Sequence, residues 1–340
     1  MTLQTQILKD NPSDIAAAAD IIKHGGLVAM PTETVYGLAA DALNAEAVRN
    51  IFIAKGRAQD NPLIVHIAEW AQLPPLVMDI PQQAQQLAKA FWPGPLTMIF
   101  RKSPAVPDVV TCGMNTVAIR MPSHPVARAL ITQAGVPLAA PSANLSGGVS
   151  PVTAQHCIDD LTGRVDAIID GGPCRVGLES TVILLCGTQP VLLRPGFVTK
   201  EQIEAVIGSI QVDDAVLHPL RDGVRPASPG MKYKHYAPKA KVVILNGGAQ
   251  AYAQYVNQHA EPGVMALCFE EDLPNLQIPT LCYGRSSDAA SQATLLFDML
   301  RRADEQGATL VYARMPDSHG VGLAVLNRLL RAAAFDVIQL

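Results

Sequence analysis

The stretch PTETVYGLAADALNAEAVRNIFIAKGRAQDNPLIVH, residues 31–66, decides the architecture, because it carries one apolar strand into another through a polar turn and a short helix. The run before it, LVAM (27–30), is continuously apolar and of strand length, the pattern of a strand covered on both faces. It stops at Pro31, after which Thr32, Glu33, Thr34 and Tyr36 bring hydrogen-bonding side chains to the strand exit. Asn44 is placed to cap a helix whose apolar Ala47, Val48, Ile51 and Phe52 recur at helical spacing. Gly56 ends that helix with Lys55 and Arg57 on either side, and Asn61-Pro62 leads into the apolar run LIVHI (63–67). A second strand exit, PSANLSGG (141–148), adds hydroxyls and glycines. These loops are expected to meet in one pocket that takes a polyanion and a small polar substrate.

Working outward, 340 residues suit two domains and a sizeable core. A hydrophobic content of 49% with 16% charge excludes a disordered chain, and a net charge of −4 argues against non-specific nucleic-acid binding by bulk electrostatics. Six scattered cysteines show no metal-type spacing and read as reduced thiols of a cytoplasmic protein. The N-terminus lacks the basic start and apolar stretch of a signal peptide. Residues 129–158 carry no Asp, Glu, Lys or Arg, but Pro137, Pro141 and Pro151 interrupt them, so no membrane span is expected.

Ser13 or Asp14 is expected to open a helix closed by Gly25-Gly26. Further strands are read at LTMIF (96–100), TVAIRMP (116–122), VPLAAP (136–141), RVDAIIDGG, STVILL and VLLRPG, with helices over 81–92, from Ser123-Pro125 to Gly135, and from Thr199 to about Ile207. The composition changes near 211, and from 241 strands and helices alternate as in a small three-layer parallel domain. The expected division is therefore 1–210, a linker or lid over 211–240, and a C-terminal domain over 241–340.

No GxxxxGK[ST] and no GxGxxG after a strand is present, so cationic side chains and loop hydroxyls must hold any nucleotide. Lys55, Arg57, Arg120 and Arg194 sit at element ends where side chains converge. Lys55 alone could simply complement the negative end of its helix; with Arg57, Asn61 and the Ser142–Asn144 loop, a phosphate site explains the set better. His66, taken singly, reads more readily as a satisfied core histidine than as a functional one, and Glu33 and Glu179 show no sign of acting as an acid–base pair. SPGMKYKHYAPKA (228–240) interleaves cations with tyrosines, which suits a solvated tether, a mobile lid, or a segment that stacks on a base.

In this order, PTETVYGL, KGRAQDNPLIVH, FWPGPLT, VAIRMPSHP, APSANLSG, GLESTV and LLRPG closely resemble the YrdC-type L-threonylcarbamoyl-AMP synthases, and SPGMKYKHYAPKA is similar to the linker of their two-domain form. The resemblance implies an α/β fold: a YrdC-like open twisted sheet with a large cavity, plus a smaller Rossmann-like three-layer domain. It implies a nucleotidyltransferase joining L-threonine, bicarbonate or CO2 and ATP into threonylcarbamoyl-AMP, with release of pyrophosphate and water. A transferase partner would pass the group to tRNA beside the anticodon, and direct tRNA contact is conceivable on this reading. By the same resemblance, Lys55 and Arg57 are catalytic and hold ATP with Asn61, Thr116, Ser142, Asn144, Ser150, Arg194 and Tyr236. Thr32, His66, Arg120 and Ser180 would hold threonine, His235 would join Tyr236 in a closing contact, and Mg2+ would accompany ATP without a protein carboxylate cage.

Two alternatives belong to other classes. An RNA-binding module without ATP turnover would show steeply salt-dependent tRNA binding. A carbamoyl-transfer domain acting on a different acceptor would be separated from the synthase by competition between threonine and carbamoyl phosphate.

Overall fold

The apolar run 27–30 and the residues that follow its polar exit, 37–41, become two adjacent strands of one sheet in the computed structural model, which describes residues 3–219 and 236–340. In chain order the strands of this sheet begin with β1 (Gln6–Lys9), β2 (Val28–Met30), β3 (Gly37–Asp41), β4 (Ile64–His66) and β5 (Leu96–Arg101). They continue as β6 (Thr116–Arg120), β7 (Leu138–Ala139), β8 (Ala167–Asp170), β9 (Thr181–Leu184), β10 (Val191–Arg194) and β11 (Gln211–Val212). Among the described residues the eleven lie in the order β1-β8-β2-β3-β7-β4-β6-β5-β9-β10-β11, with parallel and antiparallel pairs mixed. The helices α1 (Pro12–Lys23), α2 (Ala45–Lys55), α3 (Gln82–Phe91), α4 (Asp108–Thr111), α5 (Pro125–Ala134), α6 (Ala154–Leu161) and α7 (Lys200–Ile207) cover it.

Local chemistry sets the element ends. The cap of α1 is Asn11 rather than Ser13 or Asp14: its side chain accepts from Asp14 N, and Pro12 occupies the first turn, where a missing N–H costs nothing. Asn44 caps α2 by accepting from Glu46 N and Ala47 N, and Gly56 closes it at φ 60°, a left-handed conformation open to glycine. Three strands of this sheet, β1, β3 and β11, escaped the sequence reading. β3 pairs antiparallel with β2, Val28 opposite Ala39, but GLAAD is short, small and free of β-branched residues. β1 is a four-residue edge strand that pairs with β8. The sheet's last strand, β11, lies beyond residue 210 and pairs parallel with β10.

The remaining strands β12 (Lys241–Asn246), β13 (Val264–Cys268), β14 (Thr280–Cys282), β15 (Leu310–Arg314) and β16 (Val337–Gln339) form an all-parallel sheet ordered β14-β13-β15-β12-β16. Alternation along β12 distributes its side chains to both faces. Val243 and Leu245 pack with Tyr252 and Val256 of α8 (Ala249–Gln258), whereas Val242 and Ile244 meet α9 (Ala289–Glu305) and α10 (Val321–Ala332) through Leu296, Leu300 and Leu329. The result is the three-layer parallel arrangement expected from alternating elements.

The two sheets share one apolar cluster, which runs from Phe52 and Cys157 to Phe297 and Leu329. Helix α9 is pinned to the first domain by Arg301, whose guanidinium reaches Asp160 at 2.7 Å and the Val149 carbonyl at 2.6 Å. Gly177 lies at this contact with φ 79°, and a methyl there would come within 2.5 Å of the Ala293 carbonyl oxygen. Gly177→Ala is therefore expected to destabilise the protein by about 2 kcal/mol or more. Equilibrium denaturation of the full chain checks this; an unchanged midpoint would mean that α9 does not dock as described.

Candidate functional site

Five strand ends converge on one side of the first sheet. His66 and Arg120 close β4 and β6 in register, Thr97 of β5 lies opposite Arg120, and Ser180 precedes β9 where Arg194 ends the antiparallel β10. With the exit of β2 and the loop around Ser142, His66, Arg120, Ser180 and Arg194 line a cleft of about 600 Å³ counted out to its open mouth. Of the residues singled out from the sequence, Thr32, Arg57, His66, Arg120, Ser142, Ser180, Arg194 and Tyr236 all line it. Three arginines therefore face one cleft.

The other five do not line it. Lys55 is 2% exposed and its Nζ donates to the main-chain carbonyls of Ser142 and Asn144, so it holds the loop instead of facing the cleft. Burial first, and then the charge of Arg57, pull its amine down to about 7. Asn144 ties the same loop together, accepting from Ser142 Oγ at 2.6 Å and donating to the carbonyls of Leu145 and Gly148. Ser150 is fully buried and donates to Glu179 Oε1 at 2.5 Å. The main-chain carbonyl of Asn61 accepts from Arg57 Nη2 at 3.0 Å, while its Oδ1 is buried without a partner among the described residues. Thr116 begins β6, opposite Arg101, at the far end of the strand from Arg120. His235 and the rest of 228–235 fall outside the described residues.

Two carboxylates that the sequence left without a role organise the cleft. Glu33 Oε1 lies 2.8 Å from Arg120 Nη2, with both side chains 4% exposed, and Arg120 Nη1 donates to Thr34 Oγ1 at 2.8 Å. Burial pushes the Glu33 carboxyl up, but the charge of Arg120 and its contact outweigh this and keep it below the usual range. Glu179 is held the same way: desolvation opposes ionisation, and the fields of Arg328 and Arg194 overcome it. Arg194 Nε donates to the Ser180 carbonyl at 3.0 Å and Nη2 to Ser180 Oγ at 3.2 Å. Ser180 Oγ also meets Thr97 Oγ1 at 2.7 Å. Periodicity cannot reveal such pairings, because their partners are up to 149 residues apart.

Burial, followed by the charge of Arg120, lowers the His66 imidazole to about 3, so the ring is neutral at physiological pH. Its Nδ1 faces the Ile64 carbonyl at 3.2 Å, and a carbonyl only accepts. This contact favours the tautomer with the proton on Nδ1, in which Nε2 is an acceptor. Tyr236 brings the end of the interdomain segment into the cleft, 5% exposed and at φ 63°, a strained conformation for a non-glycine residue. Its ring packs 5.3 Å from that of Phe297. Among the described residues no three His, Cys, Asp or Glu side chains gather as a metal site, and Glu33 and Glu179 are committed to arginines. This donor set does not fit a resident metal ion. The arrangement can bind anions, orient a small polar molecule through hydroxyls and a neutral imidazole, and exclude water.

Comparisons with known proteins identify the family. Residues 20–196 match the family described as "Telomere recombination", the Sua5/YciO/YrdC domain, and residues 198–334 match "Threonylcarbamoyl-AMP synthase, C-terminal domain". The threonylcarbamoyl-AMP synthase of Bacillus subtilis is 47% identical over 340 residues, covering 98% of this chain and 97% of that protein. The Pyrococcus abyssi threonylcarbamoyl-AMP synthase is 45% identical over 331 residues, covering 96% and 95%. The crystal structure of P. abyssi Sua5 complexed with L-threonine superposes with a TM-score of 0.91 at 43% identity, covering 99% of each chain. Both domains, in this order and over nearly the full length, place the chain in the threonylcarbamoyl-AMP synthase family.

Proposed function

We infer that the protein forms threonylcarbamoyl-AMP and pyrophosphate from L-threonine, bicarbonate or CO2, and ATP, for threonylcarbamoyladenosine modification of tRNA. The observation that carries this reading is the convergence of Arg57, Arg120 and Arg194 on one cleft beside a neutral histidine and two serine hydroxyls. Among the described residues Arg57 Nε is buried in that lining without a hydrogen bond, which costs about 1–3 kcal/mol until a ligand supplies a partner. The family match favours this chemistry over an RNA-binding module without turnover.

The threonine amine adds to CO2, losing a proton and forming a carbamate. A carbamate oxygen then attacks the α-phosphorus of ATP, and the bond to pyrophosphate breaks. Positioning and charge neutralisation carry such a displacement, so the chain's contribution is a set of fixed donors. In this assignment Arg57, Ser142, Arg194 and Tyr236 contact ATP from the cleft lining. Lys55, Asn61, Asn144 and Ser150 fix the surrounding loops, and Thr116 lies at the outer end of β6. Thr32, His66, Arg120 and Ser180 hold threonine, with His66 Nε2 accepting from its ammonium or hydroxyl. Mg2+ enters as the counter-ion of ATP. Closure over the carbamate, to which Tyr236 contributes, limits its loss of CO2 to water. A transferase consumes the product, tRNA being that enzyme's substrate, and the work is done in the cytoplasm.

Pyrophosphate release by the purified chain, with Mg2+ and ATP, is expected to require both threonine and bicarbonate; release indifferent to threonine would point to another acceptor. Arg57→Ala removes charge-assisted contacts worth about 1.5–3 kcal/mol and should lower kcat/KM about ten- to hundredfold with an unchanged melting curve. Lys55→Ala should lose activity and also melt earlier, since it frees two loop carbonyls; normal stability with lost turnover would instead make Lys55 a direct phosphate ligand. The unfolded chain protonates His66 near pH 6.5, whereas the folded chain does so only near 3. Stability should therefore fall as pH drops through that interval, by up to about 1.4 kcal/mol per pH unit from this group. Denaturation of His66→Asn over the same range should show a shallower slope, and an identical slope would refute the neutral buried ring.

A further inference from the structure

Arg328, on α10 of the C-terminal domain, is fully buried, yet its acceptors belong mostly to the first domain. Nε donates to Glu179 Oε2 at 2.8 Å and Nη2 to the Glu179 carbonyl at 3.0 Å. Nη1 donates to the Pro195 carbonyl at 2.9 Å and to Asn327 Oδ1 at 2.8 Å. Glu179 and Pro195 immediately flank Ser180 and Arg194, the two side chains at the converging ends of β9 and β10. The guanidinium also lies 5.8 Å from the centre of the Tyr236 ring, which lines the same cleft. One planar fork thus ties together both strand ends and the end of the interdomain segment.

We propose that Arg328 is a positioning residue of the substrate cleft, through which the docked C-terminal domain sets the geometry of Ser180 and Arg194. The inference rests on the assignment of those two residues to the substrates. A purely adhesive interface contact would not need this placement; Thr294 Oγ1, for comparison, bonds the Arg175 carbonyl across the same interface. Removing Arg328 leaves the Glu179 carboxylate buried without its partner, and the next cation whose field reaches it is Arg194. Drawn toward Glu179, Arg194 would release Ser180 and shift its place in the cleft. Lysine could keep the charge opposite Glu179 but cannot also reach Pro195 with a planar fork.

The test uses the full chain, with L-threonine affinity from calorimetry and kcat and KM from pyrophosphate release, at a temperature where circular dichroism shows each variant folded. Arg328→Met is expected to weaken threonine binding tenfold or more and to raise KM more than it lowers kcat. Arg328→Lys should fall between it and wild type, and adding Glu179→Gln to Arg328→Met should recover part of the loss by removing the uncompensated charge. Thr294→Val should bind threonine as wild type does. Folded Arg328→Met with wild-type affinity would overturn the proposal. If that variant does not fold, Arg328→Lys decides alone, weakened binding supporting the proposal and wild-type binding overturning it. Ser180→Ala separates the premises: if it weakens binding while the Arg328 variants do not, the site assignment stands and the positioning role fails. If neither weakens binding, both fail.

Discussion

A charge can be buried only with its counter-charge, and the cleft is built on that constraint. Glu33 with Arg120 and Glu179 with Arg328 are nearly solvent-free ion pairs, and in such pairs removal of one partner costs about 3–5 kcal/mol. Glu33 fixes Arg120 in the cleft lining and Glu179 fixes Arg328 behind it, so these two cations are ordered before any substrate arrives. Preorganised donors need no reorganisation when negative charge develops on a transferred phosphoryl group. The same pairs tie the exit of β2 to β6 and the start of β9 to α10.

This constraint also explains why the C-terminal domain is more than an appendage. Its sheet is complete in itself, with apolar faces covered by α8 on one side and by α9 and α10 on the other. Yet α10 turns buried polar groups toward the first domain: Asn327 donates to the Val216 carbonyl at 2.6 Å and Arg331 to the Ala215 carbonyl at 2.6 Å. Buried donors satisfied across an interface specify one docking geometry, because any shift leaves several of them unpaired. An apolar contact alone would tolerate sliding.

Much of the fold was legible from residues 27–67 and from the alternation after 241. Asn44, Gly56, Thr199 and the apolar runs mark their elements through local chemistry: a capping side chain, a left-handed glycine, a strand-length run. β1, β3 and β16 were not legible, being three to five residues long and defined by the strands they pair with. Among the site residues, those at strand ends were readable because polar side chains at the exit of an apolar strand have few places to go but a shared cleft.

By itself the sequence determined most of the elements and, through seven ordered motifs, the family. Tertiary structure alone decided which side chains face the cleft and which stand behind it. It turned Lys55 onto two carbonyls of the Ser142 loop and gave Ser150 to Glu179, while leaving Arg57 in the lining. The reason is physical. A capping or periodicity signal is written within a few residues, whereas the partner of a buried charge is set by packing; Glu179 and Arg328 lie 149 positions apart in the chain and 2.8 Å apart in the fold.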